Sequence, residues 1–157
     1  PRFGEENGNE KYVPVEESLF DILKRRELTR DEWRKIKKHC DQLNIPFIST
    51  ATFNDEVDFL LGDLKVGSLK LASADINNIP FIKYCAKRCA EYNANFQMDT
   101  GNADLWEIER AVIAAEEMKC ENIVIHHCPT GYPARLQSIN LNTIKYYYYE
   151  ENITKNY

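Results

Sequence analysis

Residues 70–80 read Lys70-Leu71-Ala72-Ser73-Ala74-Asp75-Ile76-Asn77-Asn78-Ile79-Pro80 and form the clearest strand-to-helix transition in the chain. An apolar strand ends in a short polar turn. A proline then stands in the first turn of the predicted helix, where its missing N–H breaks no hydrogen bond. A lysine within a strand costs several kcal/mol to desolvate unless an anion pairs with it. The stretch therefore predicts a βα unit whose turn holds an anionic ligand.

The same alternation of strand and helix patterns extends along the chain on both sides of this unit. Apolar residues at helical spacing predict helices over residues 18–26, 31–43, 55–61, 79–92 and 105–119, and compact apolar runs predict strands over residues 45–49, 68–73, 94–99 and 122–127. Thr29 and Glu32, and likewise Asp104 and Glu107, stand at the spacing of a capping box. The strands are almost continuously apolar, which is typical of parallel strands covered on both faces.

Repeated βα units imply a parallel sheet or barrel. A closed (β/α) barrel has eight strands and about 250 residues, whereas this chain has 157 residues and about four predicted strands. The predicted fold is therefore α/β, a partial (β/α) TIM-type barrel of about four consecutive parallel βα units. An open doubly wound sheet is the alternative, although the chain lacks a glycine-rich phosphate loop.

Composition limits the classes of partner. With 43% hydrophobic residues the chain can bury a core, and its net charge of −5 with interspersed signs argues against a nucleic-acid surface. No apolar run approaches the roughly 20 residues of a membrane-spanning helix, and no signal peptide opens the chain. We expect no membrane partner and a cytoplasmic location.

The ends of the chain and its cysteines give weaker signals. Residues 1–11 are polar and suggest a loop at a cut end, residues 1–144 are predicted to form one domain, and residues 145–157 an irregular tyrosine-rich tail. The five cysteines are scattered without paired short spacings, which favours reduced thiols. Cys85 and Cys89 lie one helical turn apart, and we expect them in the core.

Polar residues follow each predicted strand, at the sheet edge where ligands bind in such folds. They are Ser49, Thr50 and Thr52; Lys70, Ser73 and Asp75; Asp99, Thr100 and Asn102; and His126, His127, Thr130 and Tyr132. Hydroxyls with one lysine suit a phosphate, and carboxylates and amides suit a polyol. The adjacent histidines point to opposite faces of a strand, so they cannot chelate one metal together.

Several motifs together resemble the sialic acid synthase family, which condenses phosphoenolpyruvate with an N-acetylated hexosamine to a nine-carbon 2-keto acid. They are Phe47-Ile48-Ser49-Thr50, Lys70-Leu71-Ala72-Ser73-Ala74-Asp75, Thr100-Gly101-Asn102, Glu107-Ile108-Glu109-Arg110-Ala111 and His127-Cys128-Pro129-Thr130-Gly131-Tyr132-Pro133-Ala134. The resemblance implies a (β/α) barrel enzyme, a transferase that forms a C–C bond.

The resemblance also implies roles for individual residues. Thr50, Lys70 and Ser73 correspond to the groups for the phosphate of phosphoenolpyruvate, and Asp75, Thr130 and Tyr132 to the sugar side. Asp99 falls on the phosphoenolpyruvate side, where the family commonly has a serine. Because a carboxylate there repels a phosphate, we expect Asp99 to turn away, to bind a cation, or to read a different sugar.

The resemblance also implies that several parts of the family's active site lie outside this chain. The family uses a divalent metal, Mn or Mg, whose ligands we do not expect in this chain, and the full-length family implies a homodimer. The catalytic glutamate, the metal-binding histidines and the C-terminal domain have no counterpart here, so a fragment without activity of its own is expected. Two alternatives are a non-catalytic half-barrel that assembles through its open edges, and another phosphate-binding barrel enzyme, such as an aldolase with Lys70 as its Schiff base.

Overall fold

The computed structural model describes residues 2–6, 9–13, 17–131 and 133–145, with the backbone alone for the first two segments. The chain divides into two compact units, residues 1–36 and 37–157. In the first unit, β1 (Arg2–Glu6) and β2 (Asn9–Val13) form an antiparallel pair, and α1 spans Leu19–Lys24. The hydroxyl of Ser18 caps α1 by accepting from the Asp21 N–H at 3.1 Å.

The antiparallel pair corrects the expectation of a loop over residues 1–11. Glu6 of β1 lies opposite Asn9 of β2 in the register. The sequence between them is Asn7-Gly8, and Asn-Gly is the dipeptide most typical of a two-residue hairpin. In the sequence, the Asn-Gly dipeptide favours a hairpin, whereas the polar composition of residues 1–11 favours a loop.

The second unit contains the predicted alternation of strands and helices. After α2 (Arg30–Gln42), which crosses the boundary between the units, its elements are β3 (Ser49–Ala51), α3 (Asn54–Asp58), β4 (Ser68–Leu71), α4 (Ile79–Tyr92), β5 (Asn95–Asp99), α5 (Leu105–Glu116) and β6 (Ile123–His126). A π-helical turn, Phe59–Asp63, continues α3, and one helical turn covers residues 142–145. The predicted irregular tail, residues 145–157, lies almost wholly outside the described residues.

The four strands of the second unit form one parallel sheet in the order β3-β4-β5-β6. Because spatial order follows chain order throughout, the sheet has no reversal of the kind that marks a doubly wound fold. Four consecutive βα units in this order are an arc of a (β/α) barrel. The predicted partial barrel is confirmed, and the doubly wound alternative is wrong.

One face of the sheet carries the hydrophobic core. Five strand side chains on this face are at most 1% exposed: Ala51, Leu69, Leu71, Phe96 and Met98. Helices α3 and α4 pack against the sheet, and α5 packs against α4. Each fully buried side chain of this size stabilises the fold by about 1.5–3 kcal/mol.

The opposite face of the sheet is polar, which corrects the expectation of strands covered on both faces. Thr50 is exposed there, and Lys70, Gln97, Asp99 and His126 are partly exposed. Since side chains alternate along a strand, the polar residues sit between the buried ones in sequence but on the other side of the sheet. The sheet within this chain therefore has one buried face and one polar face.

The first strand of the sheet begins later than the apolar run predicts. Asn44 has a left-handed backbone with φ of 54°, and Ile45 and Ile48 are exposed. Pro46 also lacks the N–H that a ladder needs. The run 45–49 is therefore mostly a connection, and pairing starts at Ser49.

The predicted helix caps are confirmed. The Thr29 N–H donates to Glu32 Oε2 at 2.7 Å, and the Glu32 N–H donates to Thr29 Oγ1 at 3.3 Å. At α5 the Asp104 N–H donates to Glu107 Oε2 at 2.9 Å. Cys85 and Cys89 are 1% and 0% exposed in α4, as expected for core residues. Across the described part of the chain, none of the helices has the length and apolar character needed to cross a membrane.

Candidate functional site

The polar face of the sheet brings together three charged or titratable side chains from three strands. The ammonium of Lys70 on β4 forms an ion pair with Asp99 Oδ2 at the end of β5. The other carboxylate oxygen, Asp99 Oδ1, lies 3.1 Å from His126 Nδ1 on β6. Asp99 therefore bridges Lys70 and His126, with its side chain only 19% exposed.

Thr50 joins this row through the strand register. It lies directly opposite Lys70 in the β3–β4 ladder, and Gln97 lies opposite Lys70 on the other side. Neighbouring residues in parallel register point to the same face of a sheet. The hydroxyl of Thr50 and the amide of Gln97 therefore flank Lys70 on the polar face, and the sequence reasoning did not identify Gln97.

The loops after β4, β5 and β6 converge at Gly101. A methyl group at Gly101 would lie 3.4 Å from Ser73 Oγ and 3.6 Å from Cys128 Cβ. Ser73 opens the short 3-10 turn Ser73–Asp75 that follows β4. The structure therefore places the predicted phosphate residue Ser73 in contact with the loop after β5, whose strand ends at Asp99.

Thr100 holds β5 and β6 together at their carboxyl ends. Its side chain is 5% exposed, and its hydroxyl donates to the carbonyl oxygen of His126 at 2.8 Å, while its N–H donates to the same oxygen at 3.2 Å. Both donors of Thr100 are therefore used within the fold. Although the sequence places Thr100 among the strand-end polar residues, the structure gives it a structural role.

An open pocket of about 430 Å³ lies at the carboxyl ends of β5 and β6, between the loops that follow them and the start of α5. Its lining includes Thr100, Asn102, His127, Cys128, Thr130 and Ser138, and Asp104 and Leu105 contribute the start of α5. The lining is rich in hydroxyl and amide groups. The predicted sugar residue Thr130 belongs to this pocket, whereas Lys70 and Asp99 do not line it.

The remaining predicted sugar residues lie elsewhere. Asp75 does not line the pocket, and its carboxylate is close enough to Cys85 on α4 to contribute to raising the pKa of that thiol, after burial. Tyr132 lies outside the described residues. Within the described residues, Thr130 is thus the one predicted sugar residue that lines the pocket, and Asp75 lies toward α4.

Cys128 lies between the pocket and the ion-pair network, but its chemistry is unfavourable for a nucleophile. Burial raises the pKa of the Cys128 thiol, a backbone contact with Thr100 lowers it, and the negative charge of Asp99 raises it again. The attacking species of a cysteine nucleophile is the thiolate. A thiol with a raised pKa argues against Cys128 as a nucleophile.

A model of the NeuB family matches residues 3–154. The chain belongs to the NeuB family. Among curated relatives, this NeuB chain is 33% identical over 137 residues to the N,N'-diacetyllegionaminic acid synthase of Campylobacter jejuni, covering 86% of this chain and 40% of that protein.

Solved structures agree with the family assignment. The N-acetylneuraminic acid synthetase of Leptospira borgpetersenii, in complex with citrate, has a TM-score of 0.71 and 27% identity, covering 80% of this chain and 42% of that one. The spore coat polysaccharide biosynthesis protein SpsE of Bacillus subtilis has a TM-score of 0.63 and 25% identity, covering 75% and 32%. The NeuB chain described here spans about two fifths of the length of the relatives it matches.

Proposed function

We propose that this chain is the part of a nonulosonic acid synthase that binds the phosphate end of phosphoenolpyruvate, and that the whole enzyme condenses phosphoenolpyruvate with an N-acetylated hexosamine. The supporting observation is the position of Lys70 on the polar face of a NeuB-family sheet, opposite Thr50 in the register. Ser73 follows in the next turn. An ammonium with hydroxyl donors on two sides suits a phosphate monoester.

The acceptor is proposed to bind in the pocket that contains Thr130. Its volume of about 430 Å³ falls in the range of roughly 300–1,000 Å³ typical of small-molecule sites. Hydroxyl and amide side chains can donate to and accept from the hydroxyls and acetamido group of a hexosamine. The pocket lies at the carboxyl ends of β5 and β6, directly after Asp99 and His126 in the chain.

No step of the reaction is assigned to a metal on these residues. The described part of the chain contains no group of three or more His, Cys, Asp or Glu side chains that could hold a metal ion. A divalent cation, if the whole enzyme uses one, would polarise the aldehyde of the acceptor. The contribution proposed for this chain is to bind and orient the donor.

The geometry disfavours an aldolase that uses Lys70 as a Schiff base. Such a lysine must lose its proton, and a neighbouring carboxylate stabilises the charged ammonium. Lys70 has such a neighbour, because its ammonium pairs with the Asp99 carboxylate.

The test is a titration of the whole chain with phosphoenolpyruvate, followed through its amide NMR spectrum. We expect saturable shifts at Thr50, Lys70 and Ser73, loss of these shifts in Lys70→Ala, and retention in Lys87→Ala. Lys87 is a matched control because it is an exposed lysine on α4. Equal binding by wild type and Lys70→Ala would contradict the proposed donor site.

A second candidate is a non-catalytic half-barrel that assembles through its edges. It is favoured by the open edges that β3 and β6 present within the described sheet, since unpaired edges can pair with another chain. Light scattering over a range of concentrations separates the two candidates. A discrete dimer that does not bind phosphoenolpyruvate would favour the half-barrel, and donor binding by the chain would favour the synthase.

A further inference from the structure

The ammonium of Lys70 already has a negative partner within the chain. Asp99 pairs with it across the polar face, and the two side chains are 28% and 19% exposed. A carboxylate and an ammonium in contact have a net charge near zero. Any external anion that approaches Lys70 therefore meets a neutralised pair instead of a free cation.

We propose that Asp99 is a specificity-determining residue of the anion site, because an anion reaches Lys70 only by displacing the Asp99 carboxylate. This inference rests on the proposed function, in which Lys70 receives the donor phosphate. The resemblance to the family gives a serine at this position, and a serine hydroxyl donates to a phosphate without repelling it. The aspartate therefore weakens anion binding and changes how strongly the site discriminates between anions of different charge.

The selectivity follows from Coulomb's law. The repulsion between Asp99 and a bound anion is proportional to the charge of that anion, so a dianion loses twice the free energy that a monoanion loses. If the repulsion weakens binding of a dianion by roughly tenfold, it weakens binding of a monoanion by about threefold. Asp99 therefore reduces the preference that Lys70 gives the site for phosphate dianions over monocarboxylates.

His126 is the positioning residue for Asp99. Its Nδ1 lies 3.1 Å from Asp99 Oδ1, on the side of the carboxylate opposite Lys70. The His126 backbone is itself held by both donors of Thr100. A carboxylate fixed at both oxygens is harder to displace than one held by Lys70 alone.

The experiment compares inorganic phosphate with acetate as probes, using amide NMR titrations of the whole chain at pH 8. The variants are Asp99→Ser and Asp99→Asn, with Glu121→Gln as the matched control. Glu121 is exposed and precedes β6, at the end of the sheet away from the site, and its substitution removes the same unit of charge. If Asp99→Ser does not fold, Asp99→Asn still provides the comparison, because it preserves the shape of the side chain.

We expect phosphate to bind both Asp99 variants roughly tenfold more tightly than wild type, acetate to gain about threefold, and Glu121→Gln to match wild type. The ratio of phosphate affinity to acetate affinity should therefore be about threefold lower in the unmodified chain than in either Asp99 variant. A change confined to folding would not alter the ratio of the two affinities. That ratio is therefore the decisive quantity.

Two outcomes overturn the inference, and they differ in what they mean for the donor site. Equal phosphate affinity in wild type and both Asp99 variants, with loss in Lys70→Ala, shows that Asp99 does not compete while the donor site stands. Absence of phosphate binding in wild type and both variants refutes the donor site as well. The positioning role of His126 is tested with two further variants. His126→Leu should raise phosphate affinity, whereas His126→Gln, whose side chain can still donate to the Asp99 carboxylate, should keep the wild-type affinity. Wild-type affinity in both would refute that role.

Discussion

The replacement of Phe96 by alanine tests which face of the sheet is buried. Phe96, on β5, is 0% exposed, and truncation of a fully buried phenylalanine costs about 3–5 kcal/mol, for lost burial and for the cavity that remains. A domain of this size has a free energy of unfolding of about 5–15 kcal/mol. The variant should therefore lose about a fifth or more of its stability, or fail to fold.

The matched control is Gln97→Ala, one residue further along the same strand. Gln97 is partly exposed on the polar face, and substitutions of that kind change stability by about 0.5 kcal/mol or less. Phe96→Leu, which retains most of the volume, should cost less than about 2 kcal/mol and keeps the comparison possible if the alanine variant is unfolded.

The assay is urea denaturation followed by circular dichroism, with midpoints converted to free energies at constant m-value. A one-residue slip of β5 would exchange its two faces, bury Gln97 and move Asp99 away from Lys70. A loss in Gln97→Ala as large as that in Phe96→Ala would show such a slip. The arrangement of the candidate site would then be wrong together with the fold.

Three further predictions follow from single contacts. Thr100→Val should lower the free energy of unfolding by about 1 kcal/mol in urea melts, because the hydroxyl bond to the His126 carbonyl is lost while the Thr100 N–H still donates to that oxygen; a loss above about 3 kcal/mol would contradict this. Pyruvate with cyanoborohydride should leave no adduct on Lys70 by mass spectrometry, because the Lys70 side chain is held in an ion pair by Asp99, and a reduced adduct at Lys70 would support the aldolase alternative. Burial raises the pKa of Cys85 to about 12, so the unfolded chain releases this proton first as pH rises. Stability should then fall above about pH 9 by up to about 1.4 kcal/mol per pH unit from this thiol, and the fall between pH 8 and 10 should be shallower in Cys85→Ala; an unchanged slope would exclude that contribution.

The sequence predicts the order of elements well because local signals agree with one another. The helix over residues 79–92 has an asparagine cap, a proline in its first turn and a regular apolar stripe, and the structure gives Ile79–Tyr92. The start of β3 is harder to predict, because an apolar run before Ser49 looks like a strand whether or not it pairs. Strand pairing depends on tertiary structure, and here the left-handed backbone at Asn44 and the missing N–H of Pro46 both stand before the first paired residue, Ser49.

The sequence predicts which residues belong to the candidate site, but not which of them contact one another. The sequence identifies Lys70 as a residue that needs an anion, and it leaves Asp99 with three possible roles, one of which was to bind a cation. The structure gives that role to Asp99, with the Lys70 ammonium as the cation. The two residues are 29 positions apart in the chain, and only the register of β4 against β5 brings them to the same face.

Ligand binding at Lys70 also affects how β4, β5 and β6 are held together near their carboxyl ends. Lys70 and Asp99 connect β4 to β5, and Asp99 and His126 connect β5 to β6. A ligand that takes Lys70 away from Asp99 removes the first of these connections while it supplies a new partner for the lysine. Because the pair is only partly buried, its own contribution to stability is modest. A donor that contacts Thr50, Lys70 and Ser73 would connect β3, β4 and the turn after β4 while the Lys70–Asp99 contact between β4 and β5 is lost. Because a ligand that binds only the folded chain stabilises it, donor binding is expected to raise the free energy of unfolding even as it displaces the Asp99 carboxylate.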